Sequence, residues 1–284
     1  MRKISLYARL IRFDKPVGTL LLLWPTLGAL WIAAAGRPSL ALILIFFAGT
    51  FLMRSAGCAV NDAADADFDV HVERTRERVV ATGELARSEA IVVAGLMAAA
   101  AALLLILLNA PTLRLALVAL ALAVTYPLFK RFFPIPQLYL GMAFSFGIPM
   151  AFAAVQGSVP PLGWLMFVAN LFWVVAYDTE YAMVDRDDDL RLGVRSSAVF
   201  FGRADVAAIM VCYVAYLAAM AVIGVSLTVG WPYWLGLGAA TLCALIHYRW
   251  IRDRTRAGCF RAFLHNNWFG LAVFGGIVAD YALT

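Results

Sequence analysis

Apolar runs of about 18 residues or more, almost free of charge, recur along the whole chain and set its frame. Nine are read, at residues 17–35, 40–60, 90–108, 112–129, 137–155, 162–181, 206–227, 231–248 and 266–283. Helix is the expected state of each, because a backbone surrounded by hydrocarbon must satisfy its N–H and C=O groups within its own segment. The pattern predicts an all-α polytopic membrane protein, a nine-transmembrane-helix bundle forming a single domain over residues 1–284.

Composition agrees. Hydrophobic residues make up 63% of the 284 and charged ones 14%, against roughly 45–50% and 25% in soluble domains, and mean hydropathy is +0.83. Charge then orients the bundle. Twenty of the 23 Lys and Arg residues fall in the N-terminal tail and in alternate loops: Arg2 to Lys15, Arg74 to Arg87, Lys130 and Arg131, Arg186 to Arg203, and Arg249 to Arg261. By the positive-inside rule that side is cytoplasmic, the N-terminus lies on it, and an odd number of spans puts Thr284 on the other. The net charge of +5 therefore reads as topology and requires no nucleic-acid partner. No transit segment rich in Arg and Ser precedes the first run, which points to a bacterial inner (cytoplasmic) membrane. The four cysteines, Cys58, Cys212, Cys243 and Cys259, lack paired spacing and suggest neither a disulfide framework nor a zinc site.

Chemistry is expected where the apolar pattern breaks. The second run ends in Asn61-Asp62-Ala63-Ala64-Asp65-Ala66-Asp67-Phe68-Asp69. Asn61, Asp65 and Asp69 recur every four residues, so a continuing helix aligns them on one face. Stacked carboxylates repel one another and need a counter-ion, and oxygen ligands suit a hard divalent cation such as Mg2+. Asp185, Asp187, Asp188 and Asp189 follow the sixth run on the same side. A helix continuing through them puts Asp178, Asp185 and Asp189 on one face. An EF-hand is excluded in both stretches: Val70 and Leu190 stand where Gly is required, Arg76 and Ser196 where Glu is required.

Cations lie close to both rows. Arg54 sits inside the second run, where a charge is costly unless paired or wet, and is expected to partner one of the acids. Arg12 and Lys15 either anchor the first run at the interface or point into a shared cavity to meet an anion. Tyr126 and Lys130 share a helix face at the end of the fourth run, with Arg131 adjacent, and form a candidate phosphate contact. Arg186 directly follows Asp185. Gly141, Ser145 and Gly147 predict close helix approach in the fifth run. His71 reads as a solvated loop residue.

Two carboxylate rows, neighbouring cations and a cavity in a membrane suit a diphosphate ester of a long lipid. Acids alone would repel a diphosphate, so Mg2+ must bridge them. Metal, Lys and Arg would neutralise the leaving group, while apolar helices keep the allylic cation left behind from water.

The segment Gly57-Cys58-Ala59-Val60-Asn61-Asp62-x-x-Asp65-x-x-x-Asp69, followed by Arg74-Thr75, resembles the first aspartate-rich motif of the UbiA superfamily of intramembrane prenyltransferases. The run from Tyr177 to Asp189 resembles its 4-hydroxybenzoate polyprenyltransferase branch. So do Arg12 to Gly18, Leu23-Trp24-Pro25, Tyr126-Pro127 with Lys130-Arg131, and Asn266-Asn267. The resemblance implies a nine-helix bundle whose site opens to the cytoplasm. It further implies transfer of a polyprenyl group from polyprenyl diphosphate to the ring carbon ortho to the phenol of 4-hydroxybenzoate, in ubiquinone biosynthesis, with Mg2+ as cofactor. By the same resemblance Asn61, Asp65, Asp69, Asp185 and Asp189 are the Mg2+ and diphosphate site, the four aspartates being catalytic, and Arg12 and Lys130 contact diphosphate. Asp62 and Asp178 join Lys15, Arg54, Tyr126, Arg131 and Arg186 as further substrate-binding candidates. One departure is visible: Arg78-Val79-Val80-Ala81-Thr82-Gly83 stands where the family usually reads Arg-Pro-Leu-Pro-Ser-Gly. The alternatives are a sister enzyme acting on homogentisate, a naphthoate or haem, and an ion-coupled transporter. A transporter usually holds its charges near the midplane on broken helices, whereas these lie at helix ends.

Overall fold

The computed structural model describes residues 2–129 and 132–283, and no strand occurs among the described residues. Helix α1 (Arg2–Leu10) precedes α2 (Val17–Ala33) and α3 (Leu40–Ala64). A one-turn helix, α4 (Ala66–Asp69), opens a polar loop leading to α5 (Arg87–Leu105) and α6 (Ala110–Phe129). The chain continues through α7 (Pro136–Ser145), α8 (Gly147–Gln156), α9 (Pro161–Leu192), α10 (Ser197–Phe201), α11 (Asp205–Leu227), α12 (Trp231–Ile251) and α13 (Arg256–Leu283). Each of the nine apolar runs is thus helical. Among the described residues, six helical segments are long and apolar enough to cross a membrane, and α2 and α6 contribute shorter apolar stretches.

Local chemistry explains the breaks. The Ser39 side chain caps α3 by accepting from Leu42 N–H at 3.3 Å, as expected for an N-cap. The fifth run splits at Phe146 into α7 and α8, because Pro149 lacks an N–H and its ring crowds the carbonyl four residues earlier, that of Ser145. Gly147 at this break lets α2 come close: a Cβ there would lie 2.2 Å from Thr26 Oγ1. The small residues of this run therefore do what their spacing predicted.

Helix α9 positions the second acidic motif. Its 32 residues extend about 48 Å at 1.5 Å per residue, well beyond a hydrocarbon layer of roughly 30 Å. The last turns consequently project past the apolar zone, and Asp178, Asp185 and Asp189 share one unbroken helix, as the sequence predicts. The helix ends at Gly193, which adopts the left-handed conformation (φ 67).

A polar knot inside the bundle ties α9 to its neighbours. Glu180 is fully buried. The Tyr213 hydroxyl donates to its Oε1 at 2.9 Å, and Asn266 Nδ2 donates to Oε2 at 2.8 Å. Trp173 Nε1 in turn donates to Asn266 Oδ1 at 2.8 Å, while Tyr213 Oη lies 2.8 Å from His247 Nδ1. Four helices, α9, α11, α12 and α13, meet in this group. Around it Trp173 stacks on Phe269 and meets Tyr177 edge-on.

A buried donor or acceptor left without its partner costs about 1–3 kcal/mol. Glu180→Leu strands at least the Asn266 amide, so its midpoint of thermal unfolding in detergent should fall by several degrees for a loss of that size. Glu180→Gln, which keeps the shape and one acceptor, should lose much less. Equal midpoints for the two variants would show that the hydrogen bonds of Glu180 contribute nothing.

Candidate active site

Asp62 lies near the end of α3 with only 1% of its surface exposed, and two arginines converge on it. Arg12 Nη2 donates to its Oδ1 at 2.6 Å, and Arg78 Nη1 lies 3.3 Å from the same oxygen. Arg12 follows α1 in the left-handed conformation (φ 57), unusual for a side chain of this size. That turn aims the guanidinium at α3, while a second nitrogen donates to Arg9 O at 2.9 Å. Asp62 is therefore the counter-ion that positions both arginines.

The row expected from Asn61, Asp65 and Asp69 survives in altered form. Regular helix stops at Asp65 (φ −97, ψ 4). Even so, Asp65 N–H donates to Asn61 O and Asp69 N–H to Asp65 O, both at 2.9 Å, so the four-residue steps persist across the interruption. Asp69 is buried, and Arg78 Nη1 donates to its Oδ2 at 2.9 Å. Burial raises the Asp69 carboxyl above the ordinary carboxylate range, with Arg78 pulling the other way.

Arg74 joins the two motifs. Its Nη2 and Nε donate to Asp185 Oδ2 at 2.5 and 3.0 Å, its Nη1 donates to the Tyr181 hydroxyl, and its guanidinium carbon sits 4.1 Å from the Tyr181 ring centroid. It also lies within electrostatic reach of Asp69. Tyr126 on α6 lies within reach of both Asp65 and Asp178. A second clasp closes the outer edge: Arg256, at the start of α13, lies 3.0 Å from Glu73 Oε2 and 3.1 Å from Asp188 Oδ2.

Not every expected residue gathers here. Arg54 was expected to pair with an acid; its guanidinium instead donates to the Cys58 sulfur and packs on Gly18. Among the described residues its buried Nε has no hydrogen-bond partner, nor do the Tyr177 hydroxyl and Asp62 Oδ2. Arg186 turns away to Asp205 Oδ2 at 3.1 Å, an acid that Arg254 also holds, and lies apart from the Arg74–Asp185 pair. Lys15 is exposed on the turn before α2. Lys130 and Arg131 lie outside the described residues. Conversely, sequence reasoning placed Arg74 in the first acidic motif and Tyr181 in the second without giving either a role, and counted Arg74 and Arg78 as topological charge. Their signal was the four-residue spacing of two arginines directly after the acidic row.

The loop that carries these arginines lacks the expected prolines, yet it is anchored. Val79 and Val80 are buried with Leu85 in a small core that includes Leu6, Leu10, Ala56, Ala59 and Ala90, and Leu85 N–H donates to Val79 O at 2.9 Å. Apolar burial supplies the hold that prolines would supply through the backbone.

Asn61, Asp65, Asp69, Asp185 and Asp189 offer oxygen donors only, which fits a hard divalent cation. Among the described residues, no three acidic, His or Cys side chains are already gathered as a metal cluster. Asp69 and Asp185 hold guanidinium groups instead, with carboxylate lone pairs remaining for an ion.

An all-α membrane bundle with two acidic motifs cross-linked by arginines at one end defines a class, and comparison with known proteins agrees. The profile of the UbiA prenyltransferase family matches residues 22–270. A 4-hydroxybenzoate octaprenyltransferase from Cupriavidus necator is 63% identical, the match covering 100% of this chain and 99% of the relative. One from Burkholderia mallei is 58% identical over the same shares. Among solved structures, the apo structure of a UbiA homolog from Aeropyrum pernix K1 superposes with a TM-score of 0.79 at 26% identity, covering 92% of this chain and 97% of that one. The UbiA homolog from Archaeoglobus fulgidus, bound to GPP and Mg2+, shares the fold with a TM-score of 0.70 at 17% identity, over 96% of this chain and 99% of that one. The chain belongs to the UbiA prenyltransferase family.

Because Asp62 holds Arg12 and Arg78 together, Asp62→Asn should release both. The KM for a prenyl diphosphate should rise by about tenfold, as losing a charge-assisted contact implies, with a smaller change in KM for the aromatic acceptor. Steady-state kinetics in detergent check this; equal effects on both KM values would argue against the positioning role.

Proposed function

We propose that this chain transfers a polyprenyl group from polyprenyl diphosphate to the 3-position of 4-hydroxybenzoate, releasing diphosphate, in ubiquinone biosynthesis. The observation that carries the reading is the arginine-bridged pair of acidic motifs, Asp62 and Asp69 with Arg12 and Arg78 on one side, Asp185 with Arg74 on the other. The acceptor comes from the full-length relatives named 4-hydroxybenzoate octaprenyltransferase, which also make octaprenyl diphosphate the first donor to test.

In the reaction the bond between C1 of the allylic chain and its diphosphate oxygen breaks, and the electron pair leaves with the diphosphate. The ring carbon ortho to the phenol then forms the new C–C bond and loses its proton. Asn61, Asp65, Asp69, Asp185 and Asp189 would hold Mg2+, which when bound neutralises charge on the leaving group as a Lewis acid. Arg12, Arg74 and Arg78 supply the remaining positive charge, and Arg54, packed against Gly18, extends it toward α2. Preorganised groups of this kind lower the barrier because they need not reorient as charge develops. Tyr126 and Asp178 line the side between the motifs. The apolar helices exclude water from the allylic cation, so the arene rather than hydroxide captures it. The concentration of Lys and Arg at the site's end of the bundle supports a cytoplasm-facing site, with the N-terminus on the same side of a bacterial inner membrane.

Membranes containing the protein, given 4-hydroxybenzoate, octaprenyl diphosphate and Mg2+, should form 3-octaprenyl-4-hydroxybenzoate, and EDTA should abolish it. Release of diphosphate only with another aromatic acceptor would move the protein to a sister activity. Asp65→Ala and Asp185→Ala should each reduce turnover by about two orders of magnitude or more, while eluting as folded protein. Wild-type turnover in either would refute the metal and diphosphate assignment.

A further inference from the structure

Away from the acidic motifs, on the outer surface between α12 and α13, lies a groove of about 400 Å3 lined by Ile246, Trp250, Arg261, Leu264, His265 and Trp268. It begins at the bundle end that carries the acidic motifs, since Arg256 at the start of α13 reaches Asp188 at the end of α9. Arg261 lies about 8 Å along α13 from that start and Trp268 about 10 Å further, so the groove runs from the polar edge of the bundle toward the hydrocarbon. Its chemistry is graded the same way, with Arg261 over Trp250 outermost and Leu264, Ile246 and Trp268 further inward.

Two features mark it as built. The first is an uncompensated charge. Arg254 is held by Asp205, Arg256 by Glu73 and Asp188, and Arg252 lies beside Asp253. Arg261 has no carboxylate partner among the described residues and instead lies over Trp250, its guanidinium carbon 4.2 Å from the ring centroid. Cation–π attraction holds the guanidinium there, and its N–H groups remain able to donate. The second is an oriented histidine. His265 Nδ1 lies 3.0 Å from His247 Nε2, and His247 Nδ1 lies 2.8 Å from Tyr213 Oη, which bonds Glu180. The His265 ring also meets Trp250 edge-on at 5.1 Å. Because the Tyr213 hydroxyl donates to Glu180, His247 Nδ1–H donates to Tyr213 Oη and His265 Nδ1–H to His247 Nε2, which fixes the His265 ring as one wall of the groove.

We propose that this groove binds one anionic membrane phospholipid, its phosphodiester held by Arg261 and its acyl chain lying along Leu264, Ile246 and Trp268. The occupant is a lipid because the walls inward of the cation are apolar and face the bilayer, where a small soluble anion gains nothing from them. A guanidinium with no carboxylate partner among the described residues matches a phosphate in charge and in hydrogen bonding.

Native mass spectrometry of the full chain in mild detergent, titrated with phosphatidylglycerol, tests this. Wild type should retain one phosphatidylglycerol, with phosphatidylcholine bound more weakly. Arg261→Gln should weaken that binding by about tenfold, the expected loss for one charge-assisted contact, and Trp268→Ala should weaken it as well. Arg261→Gln leaves the His265 chain intact, so it serves even if His265→Ala fails to fold. Equal phosphatidylglycerol affinity in wild type and Arg261→Gln would overturn the proposal. So would inorganic phosphate displacing the lipid at millimolar concentration, which would assign the groove to a free anion.

Discussion

The arrangement of this protein rests on compensating carboxylates at one end of an apolar bundle. Asp62, Asp69, Asp185, Asp188 and Asp205 are all buried, and an isolated ionised carboxylate in such surroundings is strongly disfavoured. Each is met by guanidinium: Arg12 and Arg78 at Asp62, Arg78 at Asp69, Arg74 at Asp185, Arg256 at Asp188, Arg186 and Arg254 at Asp205. These pairs do more than neutralise charge. Arg74 draws the loop after α4 onto α9, Arg256 draws α13 onto the same loop, and Arg254 fixes the start of α11. Elements far apart in the chain are registered against one another at the end where a diphosphate would be handled.

The opposite condition holds deeper in the bundle. Glu180 has no arginine or lysine partner among the described residues and is satisfied by neutral donors, Tyr213 and Asn266, with His247 3.8 Å from its Oε1. Two kinds of buried carboxylate thus share one helix within a few residues. Those facing the loop side are bound to strong cations, and the one facing α11 and α13 is locked in a hydrogen-bonded group. Helical periodicity produces this division: Glu180 lies two residues from Asp178 and five from Asp185, so it points to a different face.

Much of this was legible in the chain. The apolar runs located the helices, and the seven- and four-residue spacing of Asp178, Asp185 and Asp189 forecast a helix continuing past the hydrocarbon, which α9 does. Side-chain direction in loops was not legible, because no periodicity governs it. Arg74 and Arg78 read as topological charge although they hold the acidic motifs, and Arg186 read as a ligand contact although it faces Asp205. The Asn61 row was seen, but its interruption at Asp65 depends on how the chain turns to meet α1 and the Arg78 loop. Arg54 illustrates a further limit. Its depth suggested an acidic partner, and it lies instead against Cys58 and Gly18, where the absence of a glycine side chain leaves room for it.

The small core beneath the Arg78 loop has a further consequence. Val79, Val80 and Leu85 pack with residues of α1, α3 and α5 in a cluster separate from the main core around Trp173 and Phe269. Two cores fastened apart can open apart, since cooperative units in a protein follow contiguous packing. The loop that carries Arg74 and Glu73 meets α9 and α13 through ion pairs, while its apolar residues pack in the smaller cluster. Opening of that cluster alone would uncover the acidic motifs and leave the packing around Trp173 and Phe269 in place.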